Sequence, residues 1–445
     1  MHLNQLQNGS ITHKPFLRRW LIVLCSFGLW ALSFNAFANV SANVSKTDAI
    51  GPNWQYFSQL NQAGFALLDL NTQIIQSKNL HEYYVPASTT KLITALLAIE
   101  HWGLEHRFKT NFYLRQVGKK TILVVKGYGD PFLVSEELEL IAEQLQKKMR
   151  AMNIAQLSAV ELDVSYYESN LVMPGTSNSL NPYDAIPSAL AANFNTIYAI
   201  KTAQKVRSAE AQTPMVNTGA FIVKQSLVYA NQKLGKKFRI NLGSDVKLSQ
   251  QYFADLLMAF MAKKGVMFET HENTKAISWG KRKLTDRLLY QHYNSRTLAD
   301  VIKPMMKYST NFIANQLALN LAVDIAGAPA SQQKVRHVYS DLLKARFNWA
   351  NFMIEEGAGL SRNNRITPNQ LLDVLDGFKS WVELLPEVEK HVYAKSGSLI
   401  GVSTLAGYIE QNGQLLPFSM MINQKVPYRF RNKLARELAQ YYQIP

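Results

Sequence analysis

The chain has 445 residues, 47% of them hydrophobic and 18% charged, with a formal net charge of +16. That length carries sizeable cores, the apolar content excludes a disordered tail protein, and 22 glycines with 15 prolines exclude collagen-like and low-complexity classes. The excess of Lys and Arg favours anionic partners, whether nucleic acid, anionic lipid or an acidic wall polymer, without choosing among them.

Residues 1–38 read as an export signal. Lys14, Arg18 and Arg19 precede an apolar run over 20–32, and Ala36-Phe37-Ala38 offers a small-residue site, so cleavage is expected after Ala38. The run is shorter than the ~20 residues of a membrane span. Arg18-Arg19 resembles a twin-arginine signal, although such a pair is common in ordinary export signals. The only cysteine, Cys25, falls inside this segment. The processed chain therefore has no disulfide and no thiol nucleophile, and a large core must stabilise it.

Past the signal, 64–70 reads as a strand. A helix begins near Ser88, after Pro86, with Leu92, Ala95, Leu96 and Ile99 at helical spacing. Strands are expected over 121–125 and 159–164. Between them a helix is capped by Ser135, with Glu136 and Glu137 in its first turn and Lys147, Lys148 and Arg150 in its last. Residues 174–182 read as a surface loop, and a helix runs from about Gln251 to Lys263, ending near Gly265. Long helices follow around 298–326 and 368–378. Strands over 402–410 and 415–422 flank Asn412-Gly413, a tight-hairpin signal, and a helix over 428–442 closes the chain. A terminal hairpin and helix laid on an antiparallel sheet imply an α+β fold.

There is no Gly-x-Ser-x-Gly elbow, His-Glu-x-x-His helix or Walker loop, and His101 and His106 read as a surface pair at a helix end rather than as metal ligands. No metal and no cofactor are expected. Ser88 and Lys91 lie one helical turn apart, so the lysine amine can reach the hydroxyl and act as its base. An ammonium cannot accept a proton, so Lys91 must be kept neutral by desolvation and by a second cation nearby. Ser-x-x-Lys also occurs at Ser244/Lys247 and Ser331/Lys334, but only Ser88 opens a strongly apolar helix. Ser309-Thr310-Asn311 precedes a helix, and a capping serine is its bland reading, since Ser-x-Asn recurs at Ser41/Asn43, Ser179/Asn181 and Ser361/Asn363. Lys395-Ser396-Gly397 opens the terminal hairpin and would bring the missing second cation to a substrate carboxylate.

The ordered set Ser88-x-x-Lys91, Ser309-x-Asn311 and Lys395-Ser396-Gly397 resembles the penicilloyl-serine transferases. The interval of 221 residues from Ser88 to Ser309, against 86 from Ser309 to Lys395, is similar to that of the class C low-molecular-mass penicillin-binding proteins, the D-alanyl-D-alanine carboxypeptidase/endopeptidase family. Gly129-Asp130-Pro131, the segment 188–195, the segment 357–362 and Gly401 to Gly407 agree with it. The resemblance implies a β-lactamase/transpeptidase-like antiparallel sheet flanked by helices, with a large mixed α/β insertion between the first and second motifs. Residues 39–109 and 286–445 would form the penicillin-binding domain and 110–285 the insertion. It further implies Ser88 as acylated nucleophile, Lys91 as its base and Ser309 as proton relay to the leaving group. Asn311, Lys395, Ser396, Gly397 and Ser398 would bind substrate, with the backbone N–H groups of Ser88 and Ser398 holding the oxyanion. Two departures stand out: Ser396 replaces the usual threonine, and Asn315 replaces a frequent acidic residue.

The expected activity is hydrolysis of peptidoglycan stem peptides through an acyl-serine, inhibited covalently by β-lactam antibiotics. The expected setting is the periplasm or cell envelope, with peripheral membrane or wall association through a basic surface and no nucleic-acid partner. The alternatives are a catalytically silent peptidoglycan-binding homologue and a β-lactamase or esterase of the same superfamily.

Overall fold

A computed structural model describes residues 50–69, 71–269 and 276–442. The export signal expected over 1–38, with Cys25, lies outside the described residues.

Six antiparallel strands form one sheet, in the spatial order Glu387–Glu389, Val392–Leu399, Val402–Gln411, Gln414–Ile422, Ala63–Leu68 and Ile74–Lys78. A strand from near the start of the fold thus lies beside one from its end, with Phe65 opposite Met420. The hairpin at Asn412-Gly413 forms as expected, with φ of +52° and +75°. Alternation along the strands decides the layering. Leu416, Phe418, Met420 and Ile422 join Trp54 and Phe57 of helix Pro52–Ser58, and Leu434 and Leu438 of helix Phe430–Tyr442, in one core. Met421, Ala406 and Tyr408 belong to a second core with helices Thr90–Trp102, Leu298–Tyr308, Asn311–Ala326, Gln332–Phe347 and Pro368–Phe378. Burying each Leu or Phe side chain fully is worth about 1.5–3 kcal/mol, which is how a fold without disulfides is held.

A second, five-stranded sheet is mixed, in the order Ile277–Trp279, Ala159–Asp163, Lys120–Gly127, Lys109–Val117 and Arg287–Tyr293. The polypeptide therefore returns from it after Tyr293, a few residues past the expected boundary at 285. Helices Ser135–Ala151 and Val246–Lys263 pack with these strands through Leu138, Ile141, Leu145, Phe253 and Leu257. A three-stranded antiparallel sheet, Val206–Ser208, Thr196–Lys201 and Lys237–Asn241, shares that core.

Three local expectations are corrected. Ser135 is the first residue of its helix and not its cap; its N–H donates to Asn193 Oδ1 at 2.9 Å, a partner 58 residues away. The helix expected from Gln251 starts at Val246, because Asp245 caps it by accepting the N–H of Leu248 at 3.1 Å. The closing helix begins at Phe430 rather than at Tyr428. As expected, the Ser309-Thr310-Asn311 motif precedes a separate helix, the chain breaking where Ser309 takes a left-handed conformation with φ of +56°.

Candidate active site

Ser88 sits in a single 3-10 turn, Ala87–Thr89, that leads into helix Thr90–Trp102 rather than lying within it. Ala87 has φ of +48°, and the turn is pressed by Gly359, where a Cβ would lie 1.9 Å from the Ala87 carbonyl oxygen. Lys91, one turn on, is fully buried. Its Nζ lies 3.0 Å from Ser88 Oγ and donates to Asn311 Oδ1 at 2.7 Å and to the Ala358 carbonyl at 2.6 Å. Burial lowers its pKa to about 7, against the opposing pull of the Glu356 carboxylate. Residues 90–99 of this helix are all buried, so the amine is desolvated and is held by neutral acceptors.

The break at Ser309 turns the chain so that its hydroxyl meets Lys395. Lys395 Nζ lies 2.9 Å from Ser309 Oγ and donates to the Ser396 carbonyl at 2.7 Å. Lys395 is also buried, and its pKa falls well below the ordinary lysine value through burial first, then through the positive charges of Lys91 and Arg431. Burial is the first cause of the depression at both amines, as expected for Lys91.

The strand Val392–Leu399 approaches Ser88 closely because Gly397 lacks a side chain. A Cβ there would stand 2.2 Å from Thr404 Oγ1, 2.8 Å from the Ser88 nitrogen and 2.9 Å from the Pro86 carbonyl oxygen. Thr404, on the neighbouring strand, donates its hydroxyl to that same Pro86 carbonyl at 2.8 Å. The structure thus joins Ser88, Lys91 and Asn311 in one hydrogen-bonded chain and Ser309 and Lys395 in another, with Gly397 against the Ser88 backbone. Ser396 is partly exposed and Ser398 exposed, both beside a pocket of about 460 Å³ that Arg431 also lines.

The competing motifs have ordinary structural roles. Ser331 caps a helix by accepting the N–H of Lys334, whose amine donates to Gly327 and Pro329 carbonyls. Ser361 Oγ accepts the N–H of Asn363 in a turn. His101 faces Asp324 at 3.5 Å and His106 stacks on Trp102.

Three residues that bear on the site were not singled out for it, and a fourth, Asn315, was noted only as a departure. Glu356 is fully buried and accepts from the N–H groups of Ala358, Gly359 and Ser361 and from Asn364 Nδ2, at 2.7 to 3.2 Å. It therefore shapes the loop that offers the Ala358 carbonyl to Lys91. Asn315, where an acidic residue was expected, accepts the Gly357 N–H at 3.0 Å; an amide oxygen serves as well as a carboxylate there. Arg431, from the closing helix, donates to Ser398 Oγ at 2.7 Å and to the Gly397 carbonyl. Tyr183 accepts Asn311 Nδ2 on its carbonyl at 3.0 Å, tying the 174–184 region to the site. The only sequence signal for the first of these was the glycine-rich phrase 357–362 beside it.

A serine, a buried uncharged-leaning lysine and a second serine–lysine pair at a sheet strand define a serine acyl-transfer centre. The chain belongs to the D-Ala-D-Ala carboxypeptidase 3 (S13) family, whose model matches residues 56–441. It is 27% identical to the D-alanyl-D-alanine carboxypeptidase DacB of Haemophilus influenzae, over 89% of this chain and 92% of that one. It is 23% identical to a D-alanyl-D-alanine carboxypeptidase of an Actinomadura species, over 85% and 81%. The crystal structure of penicillin binding protein 4 from Haemophilus influenzae has the same fold, with a TM-score of 0.68 at 22% identity, covering 88% of this chain and 97% of that one. A second structure of that protein holds a β-lactam, with a TM-score of 0.63.

Proposed function

We propose that the chain is a serine-type D-alanyl-D-alanine carboxypeptidase/endopeptidase that hydrolyses peptidoglycan stem peptides through an acyl-enzyme on Ser88. The observation that carries this reading is the 3.0 Å approach of the fully buried, pKa-depressed Lys91 amine to the Ser88 hydroxyl.

In acylation, Ser88 Oγ attacks the carbonyl carbon of the penultimate D-alanine as neutral Lys91 takes the hydroxyl proton. Backbone N–H groups of Ser88 and Ser398 receive the oxyanion, and the close seat permitted by Gly397 keeps that strand against Ser88. As the C–N bond breaks, Ser309 delivers its hydroxyl proton to the departing amine and regains one from Lys395 at 2.9 Å, and the proton that Lys91 took passes on to Lys395, leaving both amines as they began. Water then attacks the ester carbonyl, giving its proton to neutral Lys91, which returns it to Ser88 Oγ as the C–O bond breaks. Ser396 and Ser398 hydroxyls receive the substrate carboxylate, a reading supported by the pocket they line with Arg431, whose guanidinium donates to Ser398. The inserted region, whose sheet runs on to Tyr293, acts as an accessory unit that holds Asn311 through Tyr183. The protein works outside the cytoplasm, in the periplasm or cell envelope, in contact with the wall or a membrane surface, and β-lactams acylate the same serine.

Intact mass after incubation with benzylpenicillin tests this. One penicilloyl group is expected on the wild type and none on Ser88→Ala, together with release of free D-alanine from a stem pentapeptide by the wild type alone. A wild type that takes no adduct and releases no D-alanine would refute the reading.

A further inference from the structure

The three-stranded sheet and its two helices carry a feature that the catalytic reading does not use. Between Asp184 and Asp245 the chain has eight Lys or Arg and a single acidic residue, Glu210. Arg239 takes that carboxylate at 2.6 Å. Lys201, Lys205, Arg207, Lys224, Lys233, Lys236 and Lys237 are left with no acid in their own segment. All but the partly buried Lys201 are exposed.

Hydrogen bonds gather most of these cations at one end of the small sheet. The turn after Lys201 closes through Thr202 and Lys205, and the N–H of Gly235 donates to the Lys201 carbonyl at 2.8 Å. The Lys201 amine reaches across to the carbonyls of Tyr229 and Ala230, at 3.1 and 3.2 Å, and lies over the Tyr229 ring. Lys237 stands opposite Ile200. Three large apolar side chains protrude from the same short run: Leu227 at 78% exposed, Leu234 at 63% and Phe221 at 54%. Leu234 precedes the glycine bonded to Lys201, Leu227 opens the helical turn whose carbonyls hold Lys201, and Phe221 lies one helical turn before Lys224.

We infer that this end of the insertion docks on an anionic lipid bilayer. Lysines alone would suit any polyanion, because their attraction is long-ranged and indifferent to what bears the charge. The exposed leucines and phenylalanine gain nothing from a sugar or phosphate polymer, but they bury apolar surface at the boundary between headgroups and acyl chains. Cations ringing a few apolar side chains are the complement of such an interface. The inference rests on the envelope placement proposed above only for which bilayer is met; a vesicle assay reads it independently of catalysis.

The test is co-sedimentation with vesicles of phosphatidylcholine containing phosphatidylglycerol, against phosphatidylcholine alone. Four proteins are compared: wild type; Leu227→Ser/Leu234→Ser; Lys233→Gln/Lys236→Gln/Lys237→Gln; and a charge-matched control, Lys379→Gln/Lys390→Gln/Lys433→Gln, all at exposed positions. Amino termini are read by mass spectrometry, so that any contribution of the apolar run 20–32 is common to all four. The wild type and the control should bind the anionic vesicles and release them in high salt. Each of the other two variants should lose roughly tenfold or more in affinity while labelling with penicillin normally. Absence of wild-type binding to anionic vesicles would overturn the inference. So would an unchanged affinity of the double leucine variant, which would mark a general polyanion surface, or a control that falls as far as the lysine variant, which would mark an effect of net charge.

Discussion

The titration of Lys91 exposes the catalytic proposal to a quantitative test. An ordinary lysine, with a pKa near 10.4, is neutral in only about one molecule in a few thousand at pH 7. Burial brings Lys91 to about 7, so roughly half of the molecules then carry a free base. At about 1.36 kcal/mol per pKa unit, that change represents on the order of 5 kcal/mol by which the site disfavours the ammonium. The sign follows directly: the neutral, active form is present above the depressed pKa and is lost as pH falls through it. The second-order rate of acylation by benzylpenicillin, followed by stopped flow or quenched mass spectrometry, should level off above pH ~8 and fall about tenfold per pH unit below ~6. Glu356→Gln removes the carboxylate that pulls the lysine pKa upward, so the acid limb of that variant should move to lower pH. A wild-type limb near pH 10, a flat profile between pH 5 and 9, or a Glu356→Gln limb displaced upward would each refute the assignment of Lys91 as the base.

Gly397→Ala should lower acylation by about a hundredfold or more, measured as the rate of penicillin adduct formation, since its Cβ would drive Thr404 and the Ser88 turn from their present seats. Asn315→Ala leaves the Gly357 N–H without its acceptor and should cost about 1–3 kcal/mol in denaturant unfolding, whereas Asn315→Asp should retain both stability and activity. Arg431→Gln removes the donors to Ser398 and Gly397 and should raise KM for a D-alanyl-D-alanine peptide roughly tenfold with a smaller change in kcat, while Arg431→Lys recovers part of the loss.

The motif residues were legible because their roles follow from residue type and short spacing. Ser88 and Lys91 needed only one turn to meet, and Asn412-Gly413 needed only its own backbone preferences. The antiparallel sheet was legible in outline, since the terminal hairpin announces itself, but the insertion of Ala63–Leu68 beside Gln414–Ile422 pairs residues more than three hundred positions apart and leaves no local trace. Capping failed where a distant partner outbid the local one: Ser135 reads as a cap until Asn193 takes its N–H. Asn315 and Arg431 act by touching backbone groups of distant segments, Tyr183 lends its own carbonyl to Asn311, and Glu356 gathers the N–H groups of its own loop; none of these contacts carries a residue-type signature. The cause of the Lys91 depression was half visible: the apolar helix foretold burial, but the opposing Glu356 carboxylate comes from a loop 265 residues away.

The strand order has a consequence for the order of events in synthesis. Ser88 is made early, yet the strand that faces it belongs to residues 392–399 and is steadied by a helix ending at Tyr442. A ribosome must release almost the entire polypeptide before the serine has anything to work with. Termination products that lack residues 392–399 would be inert, and the pairing of first and last strands should make maturation slow and cooperative.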